Sequence, residues 1–437
     1  MLFVLGALLW IAQIGFLALV LWAAAVPNAE VVSQLKTAYA NRQLTTANVT
    51  TSPLGNYVGT FSECASLSLD LYNPGYRGRL RSVLADDVVA GCGPLPDLLA
   101  GHSIPWGSKG WYSEFRYWNG YRVLLRPFVA WFGLPATRAV VTALLIGSLL
   151  FFAATMGKVA GWLCSAALVG PLLLTTDFPD LPQSLNYGIS MSALLVGAAA
   201  VAAVVLMRGA RPVWVAGAAL LSGAVYCYLD ILLYPPLALG LTVAAAALSS
   251  YRILPADRRS LQLALFSVVA SAAWVAGWAF TWATKWLISA VLFGPSFVFR
   301  DVGGEIMLRL DGTENTALGA TGTLDESVGT ATKINLVDWL YGNPIRVDVI
   351  LACTGLAIAF MVVAVARHRV AALREMGLLL APGLLPFLWY ETLRNHSIIH
   401  ASWTSSSLAF TLGLAIAAPA CVALRGHVSG RTIARPD

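Results

Sequence analysis

Long apolar runs separated by short polar breaks make up most of this chain, and two polar segments interrupt the pattern. An opening apolar run, Leu2–Val26, is followed by a long polar stretch, Pro27–Pro135, before apolar runs resume. These later runs are Ala136–Gly157, Val159–Thr175, Tyr187–Met207, Val213–Leu229, Ile231–Ser249, Leu261–Thr284, Val347–Ala366, Met376–Leu393 and Ser402–Leu424. A hydrocarbon core about 30 Å thick is crossed by roughly 20 helical residues, so the pattern predicts about ten transmembrane helices. The first run has no basic segment before it and exceeds the roughly 7–15 residues of a signal-peptide core. It reads as a retained helix, although Ala23-Ala24-Ala25 mimics a cleavage site.

The expected fold is therefore an all-α integral membrane protein in five parts: helix one (1–26), a large first loop domain (27–135), helices two to seven (136–284), a second loop (285–346), and helices eight to ten with a tail (347–437). Composition agrees, because 58% hydrophobic and 11% charged residues cannot be hidden in a soluble core. Mean hydropathy is +0.72.

Charge orients the spans. Lys158, Arg208, Arg211, Arg252, Arg258, Arg259, Arg367, Arg369, Arg374, Arg425, Arg431 and Arg435 fall in loops on one side, and the opposing turns Thr176–Asn186 and Asp230 carry no Lys or Arg. Cationic loops near span ends stay in the cytoplasm, which puts both termini inside and both long loops outside. The net charge of +6 is largely that of these loops and implies no nucleic-acid partner.

Cysteine usage fits this topology. Cys64 and Cys92 alone lie in a polar segment, the first outer loop, where oxidation is permitted, and a disulfide between them is expected. Within Trp111–Phe132, Trp118, Tyr121, Leu125, Phe128 and Trp131 recur at helical spacing between Arg116, Arg122 and Arg126. This predicts an interfacial helix with rings at headgroup depth and guanidinium groups toward lipid phosphates, bent by Pro127. Asp311–Lys333, rich in Thr, Gly, Asp and Glu, reads as a mobile loop.

Three groups of residues offer chemistry. The first loop supplies Glu30, Glu63, Asp70, Asp86, Asp87, Asp97 and Glu114, any of which is a carboxylate able to act as a general base. Glu63 stands in an otherwise uncharged stretch beside Cys64, a setting that raises a carboxyl pKa. Asp86 and Asp87 are adjacent, so a shared site requires a turn between them. At the outer end of the ninth span lie Arg394, Asn395, His396 and His400, with the two imidazoles four residues apart. No third metal ligand accompanies them, which favours phosphate contact or hydrogen bonding over zinc. Lys285 is a lone cation among tryptophans, suited to a lipid headgroup or to an aromatic belt. Asp230, in a tight turn with Tyr234 and Pro235-Pro236, reads as a cap.

An apolar first span, a large acidic outer loop with an interfacial helix and many further spans resemble the GT-C class of polyprenyl-phosphate-sugar-dependent glycosyltransferases. Arg116-Tyr117-Trp118-Asn119-Gly120-Tyr121, Leu125-Arg126-Pro127 and Asn395-His396-Ser397-Ile398-Ile399-His400 are similar to segments of little-characterised bacterial multi-pass proteins of that organisation, and Ser62-Glu63-Cys64-Ala65-Ser66-Leu67 occupies the place of an acidic motif in their first loop. The resemblance implies a bacterial inner-membrane enzyme that moves a sugar from a polyprenyl-phosphate donor to a cell-envelope glycan or glycolipid hydroxyl. It implies a base among Glu63, Asp86 and Asp87, and phosphate ligands among Lys285, Arg394, His396 and His400. Trp118, Tyr121, Arg126 and Asn395 would contact sugar or lipid. No cofactor is required, and a divalent cation is left open as an assistant. Two other classes compete: a transporter or flippase of a lipid-linked sugar, which usually shows an internal repeat not evident here, and a non-catalytic partner in envelope assembly.

Overall fold

The computed structural model describes residues 2–51, 57–69, 71, 78–104, 110–113, 115–310, 327–342 and 344–424. Asp70, Glu114, Arg425, Arg431, Arg435 and most of the segment expected to be mobile lie outside the described residues.

Helix α1 (Leu2–Ala23) is apolar on every face and leads into α2 (Asn28–Ala40), the first element of the loop domain. That domain continues through a hairpin of β1 (Val49–Thr51) and β2 (Tyr57–Gly59), then α3 (Phe61–Ser68), α4 (Arg79–Ala85), β3 (Asp87–Val89), α5 (Leu95–Ala100) and β4 (Trp111–Ser113), which pairs antiparallel with β3. Its core is apolar and includes Val31, Leu35, Leu67, Val89, Leu95 and Leu99 around the Cys64–Cys92 disulfide.

Helix α6 (Arg122–Val159) belongs to both regions. Gly133 interrupts it at φ 77°, a conformation open to glycine, and turns the chain from the loop domain into the apolar bundle. Then come α7 (Trp162–Leu174), α8 (Leu185–Arg208), α9 (Pro212–Leu229), α10 (Pro235–Tyr251) and α11 (Arg259–Phe293). Beyond these lie α12 (Pro295–Leu310) and α13 (Thr330–Tyr341), short amphipathic helices at the loop-domain end. Segment α14 (Pro344–Leu380) doubles back on itself, because Arg367 donates to the Ala423 carbonyl at one end of the bundle while Ile350 and Tyr390 share a core cluster at the other. Short helices α15 (Leu385–Thr392), α16 (Arg394–Ile399) and α17 (Ala401–Thr404) precede α18 (Ser407–Ala423), which is almost wholly buried.

Among the described residues eight helices are long and apolar enough to cross a membrane, and α7 and α10 are shorter apolar helices beside them. The chain is an all-α, multi-pass membrane protein with a large loop domain at one end of the bundle.

The interfacial helix expected over Trp111–Phe132 is corrected in two respects. Residues Trp111–Ser113 form a strand and the helix begins only at Arg122, with its break at Gly133 and not at Pro127. The arginines also turn into the protein. Arg116 pairs with Glu305, Arg122 with Asp86, and Arg126 donates to the Leu69 and Val26 carbonyls and to Asn28. Trp131 and Phe132, just before the kink, do face outward.

Candidate functional site

Glu63 sits in the first turn of α3 with its side chain fully buried. Arg138, one turn past the α6 kink, donates through Nη2 to both Glu63 oxygens at 3.1 and 3.0 Å. Burial raises the Glu63 carboxyl to about 7 although Arg138 pulls it down. The adjacent Cys64 is bonded to Cys92, whose backbone N–H donates to Asn48 Oδ1 at 2.8 Å, so α3 is fixed from both sides.

Asp86 and Asp87 point to different partners. Asp86 ends α4 in the left-handed region, φ 52°, and its carboxylate meets Arg122 and receives a 2.5 Å hydrogen bond from Lys285 Nζ. Asp87 begins β3 and accepts from Ser113 Oγ at 2.5 Å. All four charged side chains, Asp86, Asp87, Arg122 and Lys285, are buried. Trp118 lies under Lys285 and donates through Nε1 to the Thr281 carbonyl at 2.8 Å. Tyr121 donates to Asn119 Oδ1 at 3.0 Å. These residues join the loop domain to α11.

The second constellation packs differently from the continuous helix its spacing suggests. Helix α16 stops at Ile399, and His400 lies in the turn before α17. His396 Nε2 donates to the Leu232 carbonyl at 3.0 Å, and its ring centroid is 4.7 Å from that of His400, which stacks on Trp403 at 4.9 Å. Burial drives both imidazoles down, His396 well below the usual range and His400 to about 4. Neither is a cation at neutral pH. Asn395 donates to the Leu308 carbonyl at 2.5 Å, and Arg394 Nε lies 4.0 Å from Glu391. Asp230 accepts from the Leu233 N–H at 2.9 Å, capping the turn before α10, and burial lifts its carboxyl to about 6.

A cavity lies under the loop domain, with about 440 Å³ of space between its walls, part of it open to solvent. Asp177, Asp180, Tyr187, Tyr234, Trp403 and Ser406 line it. Both aspartates come from the segment between α7 and α8, where a 3₁₀ turn over Phe178–Gln183 presents them. Asp177 pairs with Arg346 near the start of α14. Burial raises the Asp177 carboxyl, Arg346 lowers it, and the nearby Asp180 and Asp338 raise it further, leaving it above its ordinary value. Gly59 forms part of the wall, and Ser62 Oγ lies 2.8 Å from Tyr187 OH, so the helix that carries Glu63 also closes this cavity. A second, more apolar cavity of about 280 Å³ runs past Ser66, Leu125, Arg122 and Arg126.

Of the residues singled out by sequence, none of Glu63, Asp86, Asp87, Lys285, Arg394, His396 or His400 lines the larger cavity. Asp177 and Asp180 escaped sequence reasoning. The signal available was the pair of carboxylates in Thr176-Asp177-Phe178-Pro179-Asp180, a loop with no neighbouring base. Among the described residues no group of three or more His, Cys, Asp or Glu is arranged to hold a metal ion. The cavity instead combines partly accessible carboxylate, hydroxyl and aromatic ring faces, a set that recognises polyols: rings cover C–H faces while carboxylates accept from hydroxyl groups. No known family model, curated protein or solved structure matches the chain.

Proposed function

We propose that this protein is an inner-membrane glycosyltransferase that moves a sugar from a polyprenyl-phosphate donor to a hydroxyl of a cell-envelope acceptor on the extracytoplasmic side, with both termini cytoplasmic. The observation that carries the reading is the cavity under the loop domain, where Asp177, raised by burial yet tethered to Arg346, faces the rings of Tyr187, Tyr234 and Trp403. In this reading Asp177 takes the proton from the acceptor hydroxyl, and the oxygen attacks the anomeric carbon as the bond to the donor phosphate breaks. The carbon is attacked once, from the face opposite the departing phosphate, so the configuration inverts. Burial makes the Asp177 carboxylate a stronger base than an ordinary aspartate, which favours its taking the hydroxyl proton. Asp180 supports the same cavity. Glu63, Asp86 and Asp87 serve by holding the loop domain over it.

The test is transfer by the full chain in proteoliposomes from a panel of synthetic polyprenyl-phosphate sugars to envelope glycan acceptors. Transfer by the wild type and its loss in Asp177→Asn is the expected result. Equal rates in the two proteins would remove Asp177 as the base. Movement of the donor across the bilayer without any transfer would replace the enzyme with a transporter.

A further inference from the structure

Cys164 and Cys421 lie 257 residues apart in sequence, yet their thiol sulfurs meet at the end of the bundle remote from the loop domain. Cys164 is in the first turn of α7 and Cys421 in the last turn of α18. Each sulfur also faces a carbonyl oxygen across the contact, Cys164 that of Ala417 at 3.7 Å and Cys421 that of Ala160 at 3.8 Å. Further along the two helices backbone meets backbone, since a Cβ on Gly413 would lie 2.6 Å from the Ala167 carbonyl oxygen. Such close approach is what brings two cysteines within reach of a disulfide, and the sulfurs, 2.8 Å apart, have less than about 1 Å to travel to a bond of about 2.05 Å.

Both thiols are buried, but α7 runs along the edge of the bundle, and Trp162 and Leu163 beside Cys164 are turned outward. The pair is therefore one helix deep from the surrounding lipid. A Cβ on Gly161, just before α7, would lie 2.5 Å from Arg252 Nη2, so a guanidinium stands at the turn that carries Cys164. A neighbouring cation favours the thiolate through which disulfides form.

Two features distinguish this pair from the Cys64–Cys92 staple. That bond belongs to the loop domain, on the outer side in the proposed topology, where disulfides persist. Cys164 and Cys421 lie at the opposite, cytoplasmic end, where thiols are kept reduced and a disulfide that does form is transient and redox-sensing. The two helices they join also carry walls of the cavity: α7 runs on to Thr176 and Asp177, and Trp403 and Ser406 lead into α18. Only about 15 Å of helix separates Cys164 from the end of α7 at Leu174, so a bond at one end restrains the cavity at the other.

We propose that Cys164 and Cys421 are a redox modification site, a reversible disulfide that fixes α7 against α18 and thereby regulates the cavity. A membrane-soluble quinone is the class of oxidant that reaches a pair so close to lipid. Both S–H bonds break, the S–S bond forms, and two electrons and two protons pass to the quinone as it becomes the quinol. The bond is independent of the transferase reading, and its effect on transfer rests on that reading.

The full chain in nanodiscs, prepared under mild dithiothreitol that is then removed, is exposed to decylubiquinone, unfolded, alkylated and weighed. Of the four free cysteines, all are expected to be alkylated before exposure and only Cys227 and Cys353 after it, with peptide mapping showing Cys164 linked to Cys421 and dithiothreitol restoring both thiols. Oxidation is expected to raise the melting temperature of the wild type, to slow transfer in the proteoliposome assay several-fold, and to do neither in Cys421→Ser or Cys164→Ser. An unchanged thiol count, or a link to any other cysteine, would overturn the site, and a bond that dithiothreitol cannot reverse would make it a structural staple. A bond that forms without altering the rate would refute control of the cavity. Absence of transfer in both redox states would instead count against the transferase reading, while the thiol count still decides the bond.

Discussion

Lys285 Nζ donates to Asp86 Oδ2 at 2.5 Å across 199 residues of sequence, and Arg122 closes on the same carboxylate. One buried anion thus serves two buried cations, which makes the two ends of the bridge unequal. Asp86→Asn keeps a residue type that tolerates the left-handed backbone there but removes the buried negative charge that Arg122 and Lys285 both contact, and it should cost about 3–5 kcal/mol. Lys285→Met leaves the Asp86–Arg122 pair intact and should cost less. Thermal denaturation of both variants reads the order directly, and a larger loss for Lys285→Met would show that the carboxylate is not the hub.

Glu63 makes stability depend on pH. Burial raises its carboxyl from 4.5 to about 7 in the folded chain, so folding favours the protonated form. The resulting stabilisation is fully present below about 4.5 and is lost as pH rises through about 7. Glu63→Gln, which fixes a neutral side chain, should flatten the melting temperature across that interval and leave the variant at least as stable as the wild type at pH 8. A wild-type profile that rises over the same range would contradict the assignment.

Most spans were legible because lipid imposes a length: a helix that crosses needs its apolar residues in one run, and each predicted run overlaps an observed helix, although among the described residues only eight are long enough to cross and α7 and α10 are shorter. Partner choice was not legible. The spacing of Arg122 and Arg126 is the same whether they face lipid phosphate or protein, and nothing local announces that Asp86 comes back to meet Arg122. His396 and His400 have helical spacing, and their rings do touch, but through a turn after Ile399 that also brings His400 onto Trp403. Asp177 resembled any loop aspartate, since its counterion, Arg346, lies beyond four intervening apolar helices and nearly the whole second loop.

If Asp177 is the base, transfer carries an acid limb. A protonated carboxyl cannot accept the hydroxyl proton, so the rate should fall as pH drops through the raised Asp177 pKa and reach a plateau above it. Arg346 is the nearest group that lowers this pKa, so Arg346→Gln should displace the limb to higher pH while the plateau remains. Rate profiles of the two proteins between pH 4 and pH 9 test this, and a limb that stays in place in Arg346→Gln would separate the two residues functionally.

Trp274, Trp278, Trp282 and Trp286 form a column of touching rings along α11, and its position depends on two glycines where α9 crosses α11. A Cβ on Gly277 would lie 2.0 Å from the Leu220 carbonyl oxygen, and one on Gly223 would lie 2.1 Å from that of Trp274. Backbone therefore touches backbone, an approach only small residues allow between membrane helices. Gly277→Ala must push the helices apart, and it is expected to cost about 1–3 kcal/mol and to loosen the Tyr226–Trp274 ring contact. Gly147, in the interior of α6 with nothing near its missing Cβ, is the control: Gly147→Ala should be neutral or stabilising by about 0.5–1 kcal/mol. Melting curves rank the two, and near-ultraviolet circular dichroism of the indoles reports whether the column has shifted. An unaltered spectrum and melting temperature in Gly277→Ala would mean that the crossing yields without strain and that the column does not rely on it.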